Sequence, residues 1–160
     1  MRYEIAQVNQ DTAVTLQQAK KHCRIVTDDE DDNLRLYIRT AENYILRRRN
    51  LALKPTTFKV YIEKEDEGKT ELVLPVCPVI SIDGAYTFAS GQPSKLQGSF
   101  TAGDVLTVVA GFDEVPSDLQ AAVLLYTSER YENRELNSVV SLNEVPKAFS
   151  DLIYHWGFSN

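Results

Sequence analysis

The spacing of apolar residues changes twice along the chain, from a helical period to a strand period and back. Between residues 15 and 50, apolar residues recur three and four positions apart, which places them on one side of a helix. From Thr56 to about Gly111 they alternate with polar residues, and from Pro116 the helical spacing returns. The pattern predicts an α+β fold, a mainly α-helical domain of about four helices with a small antiparallel β-sheet inserted between the second and third helices.

The first 50 residues predict an arm followed by two helices. Residues 1–14 have no periodic signal and are interpreted as an extended arm. Thr15 and Gln18 form a Thr-x-x-Gln capping box, which is typical of the start of a helix. The acidic run Asp28–Asp32 marks the start of the second helix, because carboxylates are favoured near a positive helix N-terminus. Residues 15–50 are therefore expected to form helices 1 and 2.

The β insertion is expected to span residues 56–111. Its first hairpin turns at Glu65 to Gly68 and its second at Asp83-Gly84, a dipeptide that favours tight hairpin turns. A final strand, rich in Val and Leu, is expected to be largely buried. The predicted strands are 58–62, 71–74, 79–82, 85–88 and 105–109.

The segment 116–135 predicts a central helix around which the rest of the domain packs. Pro116 suits the first helical position, where its missing N–H costs nothing. Apolar residues lie on several sides of this helix, so water is expected to reach only the side with Gln120, Thr127 and Arg134. The main apolar stripe consists of Leu119, Ala122, Val123 and Tyr126.

A C-terminal helix is predicted over residues 146–156, and its apolar stripe has two interpretations. The helix either folds back on the core of its own domain or docks on a partner, where aromatic residues are common anchors. We predict the docking role, since a further aromatic follows Gly157 beyond the helix. The predicted interface residues are Phe149, Leu152, Ile153, Trp156 and Phe158.

Charge and composition exclude several classes of function. The 160 residues carry a formal net charge of −6, the wrong sign for a protein that binds nucleic acid through its phosphates. The basic cluster Arg47–Arg49 is interpreted as the end of the second helix, where cations are favoured. No apolar run approaches the length of a membrane span, and the two cysteines exclude a disulfide framework. We therefore expect no membrane partner.

The residues that could carry chemistry form no recognisable motif. Cys23, Cys77, His22 and His155 are the candidate nucleophiles and bases, and none lies in a catalytic or zinc-binding pattern. The run Asp28–Asp32 lacks the Gly and the final Glu that a calcium loop requires. We expect no catalytic residue, no cofactor and no metal site.

Distinctive patterns occur in four stretches of the chain: Val14–Ile25, Leu34–Tyr44, Leu74–Val79 and Pro116–Glu135. Together they resemble the head-tail connector (adaptor) proteins of long-tailed phages, in the subgroup with a β insertion, which are also described as possible DNA-packaging proteins. Val14–Ile25 and Leu34–Tyr44 look like the first two helices of that family, and Leu74–Val79 is similar to its Leu-Pro-x-x-Pro-Val motif. The most specific likeness is to Pro-x-x-Leu-x-x-Ala followed by Tyr-Glu-Asn-Arg-Glu. Here these motif residues are Pro116, Leu119, Ala122, Tyr131, Glu132, Asn133 and Arg134, followed by Glu135.

The resemblance implies a structural protein of the virion at the head-tail interface, present in the host cytoplasm during assembly. Such a connector forms a homo-oligomeric ring of about twelve copies, with the heterologous contacts that cyclic symmetry requires. The ring would lie below the portal protein, extend the DNA channel and give tail or head-completion proteins their platform. DNA would pass through its lumen without specific binding. The resemblance implies no enzymatic activity.

Two other classes of function stay open at the level of sequence. A DNA-packaging enzyme or nuclease would need carboxylates around a divalent metal, and Asp28–Asp32 is the longest acidic run in the chain. A small regulatory binding module would act as a monomer or dimer. An activity test with magnesium or manganese addresses the first alternative, and the mass in solution addresses the second.

Overall fold

The computed structural model describes residues 1–88, 94–133 and 146–157. Within these residues the chain forms four α-helices and seven β-strands. The helices are α1 (Leu16–Cys23), α2 (Asp31–Arg49), α3 (Ser117–Glu132) and α4 (Lys147–Ile153). The strands are β1 (Arg2–Gln7), β2 (Thr56–Tyr61), β3 (Glu71–Val73), β4 (Val79–Ile82), β5 (Thr87–Phe88), β6 (Lys95–Gln97) and β7 (Val105–Ala110). The predicted α+β class is confirmed.

Helix α3 lies at the centre of the helical layer. It packs against α1, α2 and α4, and its residues Leu119, Ala122 and Val123 have no solvent exposure. On α2, Leu34, Ile38 and Ala41, spaced four and then three residues apart, form a second buried stripe. Ile38 and Ala41 of α2 belong to the same apolar core as the buried residues of α3.

Thr127 differs from its predicted position on the side of α3 that faces water. Its side chain is completely buried, and its Oγ1 donates a hydrogen bond to the carbonyl oxygen of Val123 at 2.8 Å. A hydroxyl that bonds to the preceding turn of its own helix has its donor satisfied, so it can be buried at little cost. The polar side of α3 is therefore narrower than the sequence suggests.

The strands form two separate sheets instead of one. The larger is antiparallel in the order β1-β2-β7-β4, and the smaller has the order β3-β6-β5. Phe58 and Val60 of β2 and Val108 of β7 are completely buried, as the period of two predicts. These residues belong to a second apolar core, which also includes Leu72 and Leu96 of the smaller sheet.

The predicted arm at residues 1–14 is corrected, because residues 2–7 form the edge strand β1. This strand pairs with β2 in antiparallel register, and the ring of Tyr3 packs edge-on against Phe58 at 5.8 Å between centroids. The sheet is thus only partly an insertion between helices, since β1 precedes α1. Tyr3 is the one residue of this strand that is not exposed, and the two alternating residues Tyr3 and Ile5 are too few to show a strand period.

Both predicted hairpins are also wrong. Strand β2 pairs with β1 and β7 instead of β3, and β4 pairs with β7 instead of β5. Strand β3 pairs with β6, which also pairs with β5. Periodicity identifies a strand but not its neighbour, since the pairing is decided by which apolar faces can be buried together.

The ends of the helices are set by local backbone conformation. Arg24 and Asn50 follow α1 and α2 in the left-handed conformation, with φ of 57° and 54°, which stops each helix. Helix α4 ends at Ile153, three residues earlier than predicted. Residues 134 and 135, the predicted end of the central helix, lie outside the described residues.

Candidate functional site

The candidate nucleophiles and bases lie in different environments. Burial, and secondarily the charge of Glu132, raises the pKa of the Cys23 thiol, which disfavours its reactive thiolate. Cys77 is buried, and its Sγ donates to the carbonyl oxygen of Asn50 at 3.4 Å. His22 and His155 are exposed. Among the described residues, no three His, Cys, Asp or Glu side chains are grouped so that they could hold a metal ion.

The acidic run at the start of α2 binds a buried lysine. The Nζ of Lys20 donates to Asp28 at 2.5 Å and to Asp31 at 2.8 Å, and the lysine side chain is only 7% exposed. The hydrogen bond from Lys20 lowers the pKa of the Asp28 carboxyl, and the same contacts raise the pKa of Lys20. These ion pairs fasten α1 to the beginning of α2. Asp29 and Asp32 remain exposed.

The family-motif residues divide between core and surface along α3. Pro116 precedes the helix, and Leu119 and Ala122 are buried against the neighbouring helices. Near the other end, Tyr131 is half-buried and Glu132 is exposed. Motif residue Asn133 caps the helix, with its N–H donating to the carbonyl oxygen of Glu129 at 3.0 Å and its side-chain Nδ2 donating to the Glu129 carboxylate at 2.7 Å. Arg134 lies outside the described residues. The motif therefore places α3 in the core and closes its last turn.

The C-terminal stripe that was predicted as an interface is largely part of the domain's own core. Phe149 is completely buried and Ile153 is 3% exposed, so the prediction that these two side chains face a partner is corrected. Leu152 and Trp156 are partly buried against the same core, and Phe158 lies outside the described residues. A helix that covers the apolar face of α3 must turn its own apolar stripe inward.

Three aromatic rings hold α4 against α2 and α3. The ring of Phe149 lies 5.5 Å from both Tyr44 and Tyr126, and the two tyrosine rings are 6.2 Å apart. These separations lie within the favourable range for aromatic pairs. Beyond the helix, the ring of Trp156 packs edge-on against Phe112 at 5.8 Å. Directly after α4, Tyr154 is the large apolar residue that this segment exposes, at 68%.

The three arginines at the end of α2 have different environments. Arg49 donates from Nε to the carbonyl oxygen of Trp156 at 2.7 Å and from Nη2 to that of Tyr154 at 2.5 Å. It thus fixes the segment that follows α4. Arg47 and Arg48 are exposed, and both line an open cleft between α2 and α4. The interpretation of Arg47–Arg49 as a helix end is confirmed, since all three arginines lie in the last turn of α2. Only Arg49 also holds a neighbouring segment, and the other two cations lie on the surface.

A largely buried carboxylate on α2 is a feature that sequence reasoning missed. Glu42 accepts a hydrogen bond from the N–H of Ala13 at 2.5 Å, and Arg39 lies 3.3 Å from its other oxygen while donating to the carbonyls of Gln10 and Asp11. Burial raises the pKa of the Glu42 carboxyl. Its only signal in the sequence is a Glu next to the apolar stripe of α2. Together these contacts clamp the chain between β1 and α1.

The comparisons with known proteins agree with this architecture. No described helix has the length and apolar character needed to cross a membrane. Three solved structures of gene transfer agent (GTA) particles contain a similar chain: the neck of an empty particle computed with C6 symmetry, the virion of the native particle, and the native neck computed with C12 symmetry. Identity is 20–21%, each match has a TM-score of 0.76, and each covers 100% of this chain and 97% of the other. These likenesses establish a shared fold.

The family comparison is more specific. No curated protein sequence matches this chain significantly. The model of the family described as "Phage gp6-like head-tail connector protein" matches residues 13–156, which include all four helices and six of the seven described strands. The chain therefore belongs to the gp6-like head-tail connector family of phage proteins.

Proposed function

We propose that this protein is a structural head-tail connector of a tailed phage virion or phage-like particle. It lies below the portal protein as a ring, extends the DNA channel and provides the platform to which the tail attaches. The family match over nearly the whole chain carries this proposal. The absence of a recognisable catalytic motif in the sequence and the burial of Cys77 favour a structural role over an enzymatic one.

The ring is proposed to contain about twelve copies. One similar chain comes from a neck computed with C12 symmetry and another from a neck computed with C6 symmetry. Cyclic rings are built from heterologous contacts, in which two different surfaces of the same chain meet. The protein is therefore expected to carry two complementary patches, one on each side of the subunit.

The net charge of −6 suits a channel through which DNA slides. Like charges repel, so an acidic lumen keeps the phosphates of the duplex from adhering to the wall. We propose that DNA passes without specific binding. The protein would act in the host cytoplasm during assembly and remain in the virion at the head-tail interface.

The C-terminal segment 146–160 is proposed to contribute to docking on the portal or on an adjacent tail or head-completion protein. Since Phe149 and Ile153 are buried, the docking surface would consist of Tyr154 with the exposed parts of Leu152 and Trp156. Tyrosine and tryptophan are frequent anchors of interfaces, because they bury much area at a small entropic cost.

The test is assembly on particles that lack this protein. Purified chain is added to DNA-filled heads made without it, and the head vertex is imaged by electron microscopy while native mass spectrometry counts the copies. We expect a cyclic ring at the vertex and recovery of tail attachment. A two-fold dimer in solution and on the particle, or failure to occupy the vertex, would overturn the proposal.

A further inference from the structure

The two ends of α2 carry exposed charges of opposite sign. The helix begins within the acidic run Asp28–Asp32 and ends in Arg47–Arg49. At 1.5 Å per residue, its 19 residues separate these ends by roughly 28 Å. A single rigid element thus holds an acidic patch and a basic patch at a fixed distance.

The basic patch is built as a cleft. The exposed side chains of Arg47 and Arg48 form no hydrogen bond or ion pair with any other described residue, whereas the side chain of Arg49 holds the chain after α4. The cleft lies beside Tyr44 and continues to Tyr154, in two adjoining parts with volumes of ≈ 440 and ≈ 360 Å³. Arginine and tyrosine side chains around an open depression are the composition favoured at protein interfaces.

The acidic patch is held in place by its buried lysine. Because Lys20 binds Asp28 and Asp31, the backbone of this segment is fastened to α1. Asp29 and Asp32 are exposed, and within the described part of the chain neither has an ion-pair partner. A fixed segment loses little entropy on binding, so its two free carboxylates are preorganised for a cationic partner.

We propose that the cleft with Arg47 and Arg48 on one copy binds the segment with Asp29 and Asp32 on the next copy around the ring. This contact rests on the proposed function, since a cyclic ring needs two different, complementary surfaces on each chain. Guanidinium groups bind carboxylates through paired hydrogen bonds, which gives such a contact direction as well as attraction. A second copy is favoured over DNA as the occupant, because the net charge of −6 repels phosphates.

Disulfide trapping tests the contact even if the free protein associates weakly. Asp29→Cys and Arg48→Cys are combined in a Cys23→Ser background, and the protein is oxidised at low salt. We expect a ladder of covalent oligomers that extends beyond the dimer and is linked between positions 29 and 48. The matched control replaces Asp29→Cys by Lys64→Cys, another exposed position, and should yield at least about tenfold less ladder.

Charge reversal within the trapping protein tests the electrostatics. With Asp29 and Arg48 replaced by cysteine, Arg47 and Asp32 are the charges left in the contact. Adding Arg47→Glu should lower the yield of the ladder about tenfold, because two carboxylates then face each other. Adding Asp32→Lys to that variant should restore the yield, because the two positions again carry opposite charges. An equal yield from the control pair, or no recovery on exchange, would overturn the contact. So would duplex DNA binding that Arg47→Glu with Arg48→Glu abolishes while no ladder forms, since the cleft would then be a phosphate site.

Two outcomes separate this inference from the proposed function. A closed dimer with two 29–48 disulfides would indicate a two-fold contact and would contradict both. A ring at the head vertex that forms normally with Arg47→Glu and Arg48→Glu would overturn the contact and leave the connector function standing.

Discussion

Phe149→Ala distinguishes a core helix from a detachable docking helix at the C-terminus. The Phe149 ring is completely buried and lies 5.5 Å from two tyrosine rings, so its removal leaves a cavity between α2, α3 and α4. Truncating a buried Phe typically costs about 3–5 kcal/mol. For a chain of this size, each kcal/mol lowers Tm by about 2–4 °C, which predicts a loss of about 6–20 °C.

Tyr154→Ala is the matched control on the same segment. Its side chain is 68% exposed, and a surface substitution of this kind should change the free energy of unfolding by about 0.5 kcal/mol or less. Both variants are melted by circular dichroism at 222 nm beside the parent, and Tyr154→Ala is then tested for attachment to heads. The reasoning is refuted if Phe149→Ala melts within about 2 °C of the parent, because α4 would then not be packed on the core.

Three further substitutions test the core, a close backbone approach and a buried charge. Val123→Asp should unfold or aggregate the protein, because it places an unpaired carboxylate on the buried face of α3; a soluble, folded variant by circular dichroism would contradict this. Gly111→Ala should lower the free energy of unfolding by at least about 3 kcal/mol in chemical denaturation, because the new Cβ would lie 2.3 Å from the backbone of Lys54. Gly103→Ala is the control, also at positive φ but in open space, and should cost about 1–2 kcal/mol. Equal losses would exclude the close contact. Because the pKa of Glu42 is raised in the folded protein, its contribution to stability is present below pH 4.5 and is lost as pH rises through the folded pKa. The urea midpoint of the parent should therefore fall over this range, and Glu42→Gln should make the fall smaller. An unchanged profile would show that another group causes the fall.

The helices and most strands could be predicted from the sequence because their signals are local. The capping box of Thr15 and Gln18 is present with both of its hydrogen bonds, and α1 starts where it predicts. The three-four spacing on α2 and the alternation of Phe58, Val60 and Ile62 are reproduced as buried faces. Periodicity reports which side of an element avoids water, and that depends on neighbours in the sequence.

The candidate surfaces were predicted less well because exposure is not a local property. The apolar stripe of α4 would have the same sequence whether it covered α3 or a partner protein. The packing of Phe149 against Tyr44 and Tyr126 shows that it covers the domain's own core. In the same way, nothing beside Arg49 in the sequence distinguishes it from Arg47 and Arg48. Its role follows from carbonyl oxygens more than a hundred residues away along the chain.

The tertiary structure alone decided which strands pair and which charges are buried. Strand β2 pairs with β1 and β7 and not with β3, the next strand in the sequence. This pairing buries Phe58 and Val60 in the core of the sheets. Lys20 is buried because Asp28 and Asp31, at the start of the next helix, satisfy it, and Glu42 is largely buried because the N–H of Ala13 donates to it from 29 residues away. Apolar spacing along the sequence determines whether a segment forms a helix or a strand. Strand pairing and the burial of charges depend on contacts between separate segments, because only those contacts bury the apolar faces and compensate the desolvation of the charges.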